Sequence, residues 1–238
     1  MPIFPVSLEP AFVLSRRPYS NSSLLIELFA VHSGRLAVIA RGARAQAGKR
    51  GGHLQPFVPL EVAWNGRGEV KTLTQAEATA LPLLQQGEVL FYGYYLNELL
   101  LRLLPRHDPS AELFVLYANS LAGLSREGGS EALLRRFEVD LLELLGYALN
   151  LHLTEAGEPV QAGLRYHYRL EQGASLAPAA SAESLPGEAL LALAGKLPWD
   201  STLLTSARVL MRRVMRHYLG ERPLQSRELF RAIYKRKD

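Results

Sequence analysis

The sequence predicts a multidomain chain of mixed α and β class, with an N-terminal five-stranded barrel followed by a mainly α-helical domain that carries a small irregular insertion. Three observations lead there. Short β-rich runs punctuated by turn residues fill positions 1–80, the apolar period changes to a helical one near Glu88, and positions 148–186 follow neither period. With 238 residues, 48% of them hydrophobic, the chain can bury one large core or two small ones, and it is too apolar to be disordered.

The strands come first. Ala11 to Arg17 and Ser23 to Val31 mix β-branched, aromatic and aliphatic residues, and the stretch from Arg17 through Pro18, Tyr19, Ser20 and Asn21 to Ser22 has the composition of a turn. Ser33 and Gly34 make a tight hairpin into Arg35 to Arg41. The following GARAQAGKRGG holds four glycines and three basic side chains with nothing apolar larger than Ala, which predicts a solvated loop. Phe57 to Trp64 resumes strand character, Asn65-Gly66-Arg67-Gly68 signals a hairpin, and Glu69 to Ala78 closes the set. Five short strands with one long loop close most economically as an OB-like barrel over residues 1–80.

Residues 81–238 read as the helical domain. Glu88 to Leu104 is apolar nearly all round, with Leu90, Tyr94, Leu96, Leu99, Leu100 and Leu103, as expected of a helix covered by others. Ala111 to Leu124 and Ser130 to Gly146 follow, with Ser130 as N-cap and Gly146 as stop. The insertion at about 148–186 contains a turn at Glu155 to Pro159 and a strand-like Leu164 to Leu170. Helices return at Gly187 to Lys196, Ser201 to Leu219 and Ser226 to Arg236, punctuated by Pro198, Gly220 and Pro223.

Composition and charge narrow the function classes. The absence of cysteine excludes disulfides, thiolate nucleophiles and cysteine zinc sites. No stretch approaches the roughly 18 uncharged apolar residues of a membrane span, and MPIFPVSLEP lacks the marks of a secretory signal, so a cytoplasmic location is expected. The formal charge of +4 conceals a division by sign. Residues 1–80 hold nine Lys/Arg against five Asp/Glu, residues 81–204 eight against fifteen, and residues 205–238 ten against three. Two basic ends around an acidic middle suggest a polyanion partner. An arginine-biased composition is the bland alternative, since 22 of the 27 basic residues are Arg, but bias alone does not separate signs along a chain.

Catalytic signatures are missing. The basic loop resembles a phosphate-binding loop only superficially, because five residues instead of four separate Gly42 from Gly48, and Arg50 follows Lys49 where a hydroxyl should ligate magnesium. GxGxxG, GxSxG and HExxH are absent, and the six histidines lack ligand spacing. A non-enzymatic protein without cofactor or metal is therefore expected.

Cations supply the candidate sites. Arg16, Arg17 and Tyr19 flank the first turn, while Arg35, Arg41, Arg44, Lys49 and Arg50 run along the second hairpin and its loop with no acid between Arg35 and Leu60. Guanidinium groups neutralise phosphates, and an exposed aromatic is a platform on which any base can stack. Against this, the same arginines would keep a small barrel soluble, with Phe12, Phe29 and Phe57 as its core. On Ser201 to Leu219 an apolar side opposes Arg208, Arg212, Arg213 and Arg216, which suggests a supporting DNA or partner contact, although any surface helix shows a charged outer face. On Ser130 to Gly146, Val139 and Leu142 bracket Arg135 outside the main apolar stripe, an arrangement suited to a peptide ending in hydrophobic side chains and a carboxylate. Its plain alternative is intrahelical pairing of Glu131 with Arg135 and of Arg136 with Asp140.

The ordered stretches AFVLSRRPYSNSSLLIELF, SGRLAVIARGAR, LQPFVPLEV, GRGEVKTL, YLNELL, LLRRFEVDLLELLGY and PLQSRELFR resemble the bacterial DNA repair family RecO, over nearly the whole chain. The resemblance implies an N-terminal OB-fold and a C-terminal helical domain, binding of single- and double-stranded DNA, and annealing of complementary strands. It also implies action with RecR to load RecA on DNA covered by single-stranded DNA-binding protein (SSB), capture of the acidic SSB C-terminal tail by the helical domain at Arg135, Val139 and Leu142, and a nucleoid-associated location. The contrasting expectation is a protein-interaction adaptor that docks acidic protein tails and touches DNA only indirectly. Some members of the family carry a four-cysteine zinc site where this chain has residues 148–186. Without cysteine, the chain resembles the zinc-free type, and that segment must be ordered without metal.

Overall fold

The computed structural model describes residues 8–44, 52–178, 181 and 183–234. Two compact units form, one from Met1–Gly129 with Pro223–Asp238 and one from Ser130–Arg222.

In the first unit, five strands close a barrel: β1 (Glu9–Pro18), β2 (Leu24–Ala30), β3 (Gly34–Ala40), β4 (Leu60–Asn65) and β5 (Val70–Ala78). Their order around the barrel is β1-β2-β3-β5-β4, with β3 parallel to β5 and the other pairs antiparallel. This is an OB-like barrel, as the sequence predicts. Irregularities at Leu14 of β1, between Val13 and Ser15, and at Thr74 of β5, opposite Ala63 and Trp64, supply the local bending that closure of so few strands needs. Alternation explains the interior: Ala11, Val13, Leu24, Ile26, Leu28, Leu36, Val38, Leu60 and Val62 are buried together.

Among the intervening residues of β1 and β2, Phe12, Leu14 and Phe29 are just as buried, for a different reason. Phe12 and Phe29 lie on the outer face, where their rings pack 5.6 and 5.5 Å from Phe114 of helix α2 (Ala111–Glu127). They are core, but not barrel interior. Helix α1 (Val89–Leu103) also packs on β1, and there the Asn97 side chain donates to the Leu14 carbonyl at 2.9 Å and accepts from the Tyr117 hydroxyl at 2.5 Å. Burial keeps that phenol protonated by raising its pKa. The barrel and these two helices therefore share one core, and the compact units do not divide at residue 80.

Two close approaches shape this unit. Gly34 turns at φ +66° against the backbone of Asp108, so a side chain there would meet the α1–α2 connection. Gly93 in α1 lets the Phe57 ring and Leu84 lie against the helix backbone. Phe57 itself is held at φ +70°, a conformation that costs a bulky residue on the order of 1–3 kcal/mol and persists only when its surroundings impose it. Its ring is buried and its carbonyl accepts from Leu83 at 2.8 Å. The amphipathic helix α6 (Gln225–Tyr234) completes the unit by packing on α1, with Phe230 edge-on to Phe91.

The second unit contains α3 (Glu131–Leu144), the three-stranded sheet of β6 (Arg165–Arg169), β7 (Gly173–Leu176) and β8 (Leu185–Pro186), then α4 (Gly187–Leu193) and α5 (Ser201–Leu219). Side-chain caps fix two helix starts: Ser130 accepts from Leu133 N at 3.3 Å and Asp200 from Leu203 N at 2.8 Å. The irregular insertion holds its shape through the small sheet, through Tyr166 accepting from Gln161 N at 2.9 Å, and through an isolated bridge between Thr154 and Ala174. Among the described residues no helix is long and apolar enough to cross a membrane, and no three acidic or histidine side chains are grouped to hold a metal.

Candidate nucleic-acid interface

One end of the barrel gathers cations from segments that carry no acid of their own. The β1–β2 turn and the segment that leaves β3 lie side by side there, because Arg44 donates its N–H to Ser22 O at 2.9 Å and its guanidinium to Ser20 O at 3.2 Å. Tyr19 N–H closes the turn on Ser23 O at 3.1 Å, leaving the ring 60% exposed. Arg17, opposite Leu25 in the β1–β2 register, is exposed, as are Arg41 and Arg44. Arg16 is exposed as well and donates to Leu54 O at 3.0 Å, tying the returning chain to the same end. His53 contributes a second tie, its Nε2 lying 3.0 Å from Ala76 O.

The segments that carry these cations, residues 14–25, 38–44 and 52–58, contain no Asp or Glu, and the acid next to them in the fold is the exposed Glu77 of β5, which follows Ala76. Like charges held together in this way repel one another, and an incoming anion relieves that repulsion. Arg16, Arg17, Tyr19, Arg41 and Arg44 are thus brought together. Lys49 and Arg50 lie outside the described residues.

Arg35 does not join them. Six positions of β3 separate it from Arg41, roughly 20 Å along a strand. At that opposite end its guanidinium donates to Leu101 O at 2.6 Å, half-buried beside the ion pair of Glu27 with Arg106. Burial lowers its pKa, with Glu27 opposing that shift and Arg106 adding to it. Its role in this fold is to tie β3 to the end of α1.

The cations of α5 divide in two. Arg208 pairs with Glu131 at 3.2 Å and Arg213 donates to the Tyr168 carbonyl, both tying elements of the second unit together. Arg212 and Arg216 stand exposed one turn apart, beside Val209, which is 61% exposed.

On α3 the structure corrects the sequence reading. Arg135, Val139 and Leu142 are 7%, 8% and 0% exposed, so no spare apolar surface surrounds a free cation. The cause is that α3 packs against both α4 and α5, which covers more of its circumference than one stripe. Arg135 is charge-compensated by Glu138, one turn on, at 2.5 Å, and not by Glu131, which Arg208 takes. Arg136 does pair with Asp140, at 2.8 Å. Glu138 was missed because its acidity reads as surface, and only its i,i+3 spacing from Arg135 hints at a partner.

Comparison with known proteins agrees with the layout. The family profile described as "Recombination protein O N terminal" matches residues 6–82, and "Recombination protein O C terminal" matches residues 84–228. The chain is 46% identical to the DNA repair protein RecO of Methylococcus capsulatus, over 95% of this chain and 94% of that protein. It is also 46% identical to RecO of Alkalilimnicola ehrlichii, over 96% and 92% of the two chains, and 42% identical to RecO of Actinobacillus succinogenes, over 94% and 95%. An OB-like barrel with a cationic end, helices following it in the chain and near-complete matches to these repair proteins lead to one conclusion: the chain belongs to the RecO family of DNA repair proteins.

Proposed function

We propose that this protein is a non-enzymatic recombination mediator that binds single- and double-stranded DNA at the cationic end of its barrel and anneals complementary strands. The observation that carries the proposal is the grouping of exposed Arg17, Arg41, Arg44 and Tyr19 on segments without a carboxylate. Neutralised backbones repel each other less, so two strands held there can meet and pair. The resemblance to the RecO family supports the further reading that it acts with RecR to load RecA onto SSB-coated single strands, at a cytoplasmic, nucleoid-associated location and without a cofactor.

Salt dependence of DNA binding tests the central claim. Each phosphate neutralised on a single strand contributes roughly −0.7 to the slope of log K against log salt, so replacing Arg17, Arg41 and Arg44 together by Ala should make the slope shallower by about 2. A parental slope near zero, or a variant slope equal to the parent's, overturns the proposal.

A further inference from the structure

We propose that the groove between α1, α6 and the end of β1 receives an amphipathic helix of a partner protein, apolar along one face, with a Lys or Arg on the flank that meets α6 and an Asp or Glu on the flank that meets β1. The groove measures about 1090 Å³, is open to solvent and lies wholly within the first unit. That volume exceeds the roughly 300–1,000 Å³ of small-molecule pockets, which suits a segment of a macromolecule.

The walls are two helix faces with apolar side chains left uncovered. The sequence expects α1 to be covered all round, yet Leu90, Tyr94 and Leu101, four and seven residues apart, line this groove instead. Tyr94 is 39% exposed and braced edge-on by Phe57, ring centres 5.1 Å apart. On α6, Glu228, Leu229 and Ala232 line the other side. Phe230 of that helix already packs on Phe91, but Leu229 and Ile233, one turn apart, remain 47% and 48% exposed. Paired helix faces of this spacing take the side chains of a third helix at i, i+3, i+4 and i+7. An extended peptide would turn only every second side chain toward them.

Charge selects the flanks. Glu98 is already spent, accepting from the N–H groups of Gln225 and Ser226 at 2.9 Å each and from the Ser226 hydroxyl at 2.6 Å, with Arg102 3.8 Å away. It pins the start of α6, so that wall is preformed. Glu228 is exposed and has no ion pair among the described residues. On the barrel wall the Arg16 guanidinium donates to Leu54 O at 3.0 Å and likewise has no carboxylate partner among the described residues. One uncompensated charge of each sign complements a helix with opposite charges on its flanks, the device that sets partner choice in coiled coils. A strand or tail of uniform charge, of either sign, would meet one like charge.

The experiment selects phage-displayed random peptides on the full chain, after depletion on a Leu229→Asp variant whose thermal unfolding matches the parent's. The enriched sequences should carry apolar residues three and four apart, with Lys or Arg on one flank and Asp or Glu on the other. A synthetic peptide of that sequence should bind Tyr94→Ala and Leu229→Asp at least tenfold more weakly than the parent. Glu228→Lys, a change at an exposed position, should weaken it about fivefold, the upper end for an exposed ion pair, and changing the peptide's cation to Glu should restore the loss. Oligonucleotide affinity should stay within twofold in all three variants. The proposal is overturned by failure of any peptide to survive depletion, by enriched sequences that are uniformly acidic or lack helical spacing, or by indifference to Glu228→Lys. Self-association of the parent that Leu229→Asp abolishes gives the groove to a second copy, and loss of oligonucleotide binding in the variants gives it to nucleic acid; either result also overturns it. A parent that selects such helices but binds no oligonucleotide leaves this inference standing and defeats the DNA-binding reading alone.

Discussion

Arg44 at the barrel's end and Arg135 on α3 are both candidates in the sequence for holding an external anion, and the fold puts them to opposite uses. Arg44 is exposed, its guanidinium donating to the Ser20 carbonyl, on a segment that carries no acid. Arg135 is buried against Glu138. The difference lies in the company of acids, since a guanidinium can leave water only if a carboxylate goes with it. A cation whose own segments offer no acid stays at the surface and keeps its capacity to hold an external anion. Arg35 is intermediate, half-buried with a carbonyl partner and the Glu27–Arg106 pair nearby.

The sharpest way to break the comparison is to remove the buried cation. Arg135→Ala leaves the Glu138 carboxylate inside the second unit without its guanidinium, and breaking a buried pair from one side costs about 3–5 kcal/mol. Replacing both together, Arg135→Met with Glu138→Leu, should recover most of that loss. The chain has two tryptophans, Trp64 in the first unit and Trp199 in the second. In a Trp64→Phe background, urea unfolding followed by fluorescence therefore reports the second unit alone. A loss for Arg135→Ala below about 1 kcal/mol would show that the pair is no more structural than a surface one.

The second expected effect is on the unit that carries the cationic end. A Cβ on Gly93 would sit 2.5 Å from Leu84 Cδ1 and 2.8 Å from the Phe57 ring. Phe57 cannot easily give way, since its left-handed backbone is fixed by burial and by the bond from Leu83. Gly93→Ala should therefore destabilise the first unit by about 1–3 kcal/mol, the usual cost of overpacking. The Trp64 signal in a Trp199→Phe background measures it. A neutral outcome would mean that the Phe57 loop moves freely.

These contrasts also mark what the sequence could and could not disclose. All five strands, α3, α5 and the cap at Ser130 follow from alternation, helical period and local hydrogen-bond chemistry, which act over a few residues. The grouping of Arg17, Tyr19 and Arg44 was legible for the same reason, because a turn and a neighbouring hairpin bring them together. What escaped depends on distant partners. Arg35 finds Leu101 O across 66 positions and Arg208 finds Glu131 across 77. Phe12 and Phe29 are buried as the sequence suggests, but against Phe114 outside the barrel, a face that alternation cannot assign when both sides are apolar. Arg135 misled because a buried acid one turn away has the same letter as a solvated one.

The smallest effect on stability should come from the residues with the largest proposed effect on binding. Arg17, Arg41 and Arg44 are exposed, and none has an ion pair among the described residues. Replacing each by Ala removes mutual repulsion along with the single Arg44 bond to Ser20 O, so the two contributions oppose each other. Each substitution should change stability by no more than about 0.5 kcal/mol, as for surface positions without a structural role. The Trp64 unfolding signal in low salt is the demanding measurement, because repulsion is least screened there. A slight gain in stability for the triple variant, shrinking as salt is added, is the expected outcome. A loss as large as that of Arg135→Ala would place these arginines in the architecture of the barrel and remove the distinction between a cation that holds the fold and one held ready for a phosphate.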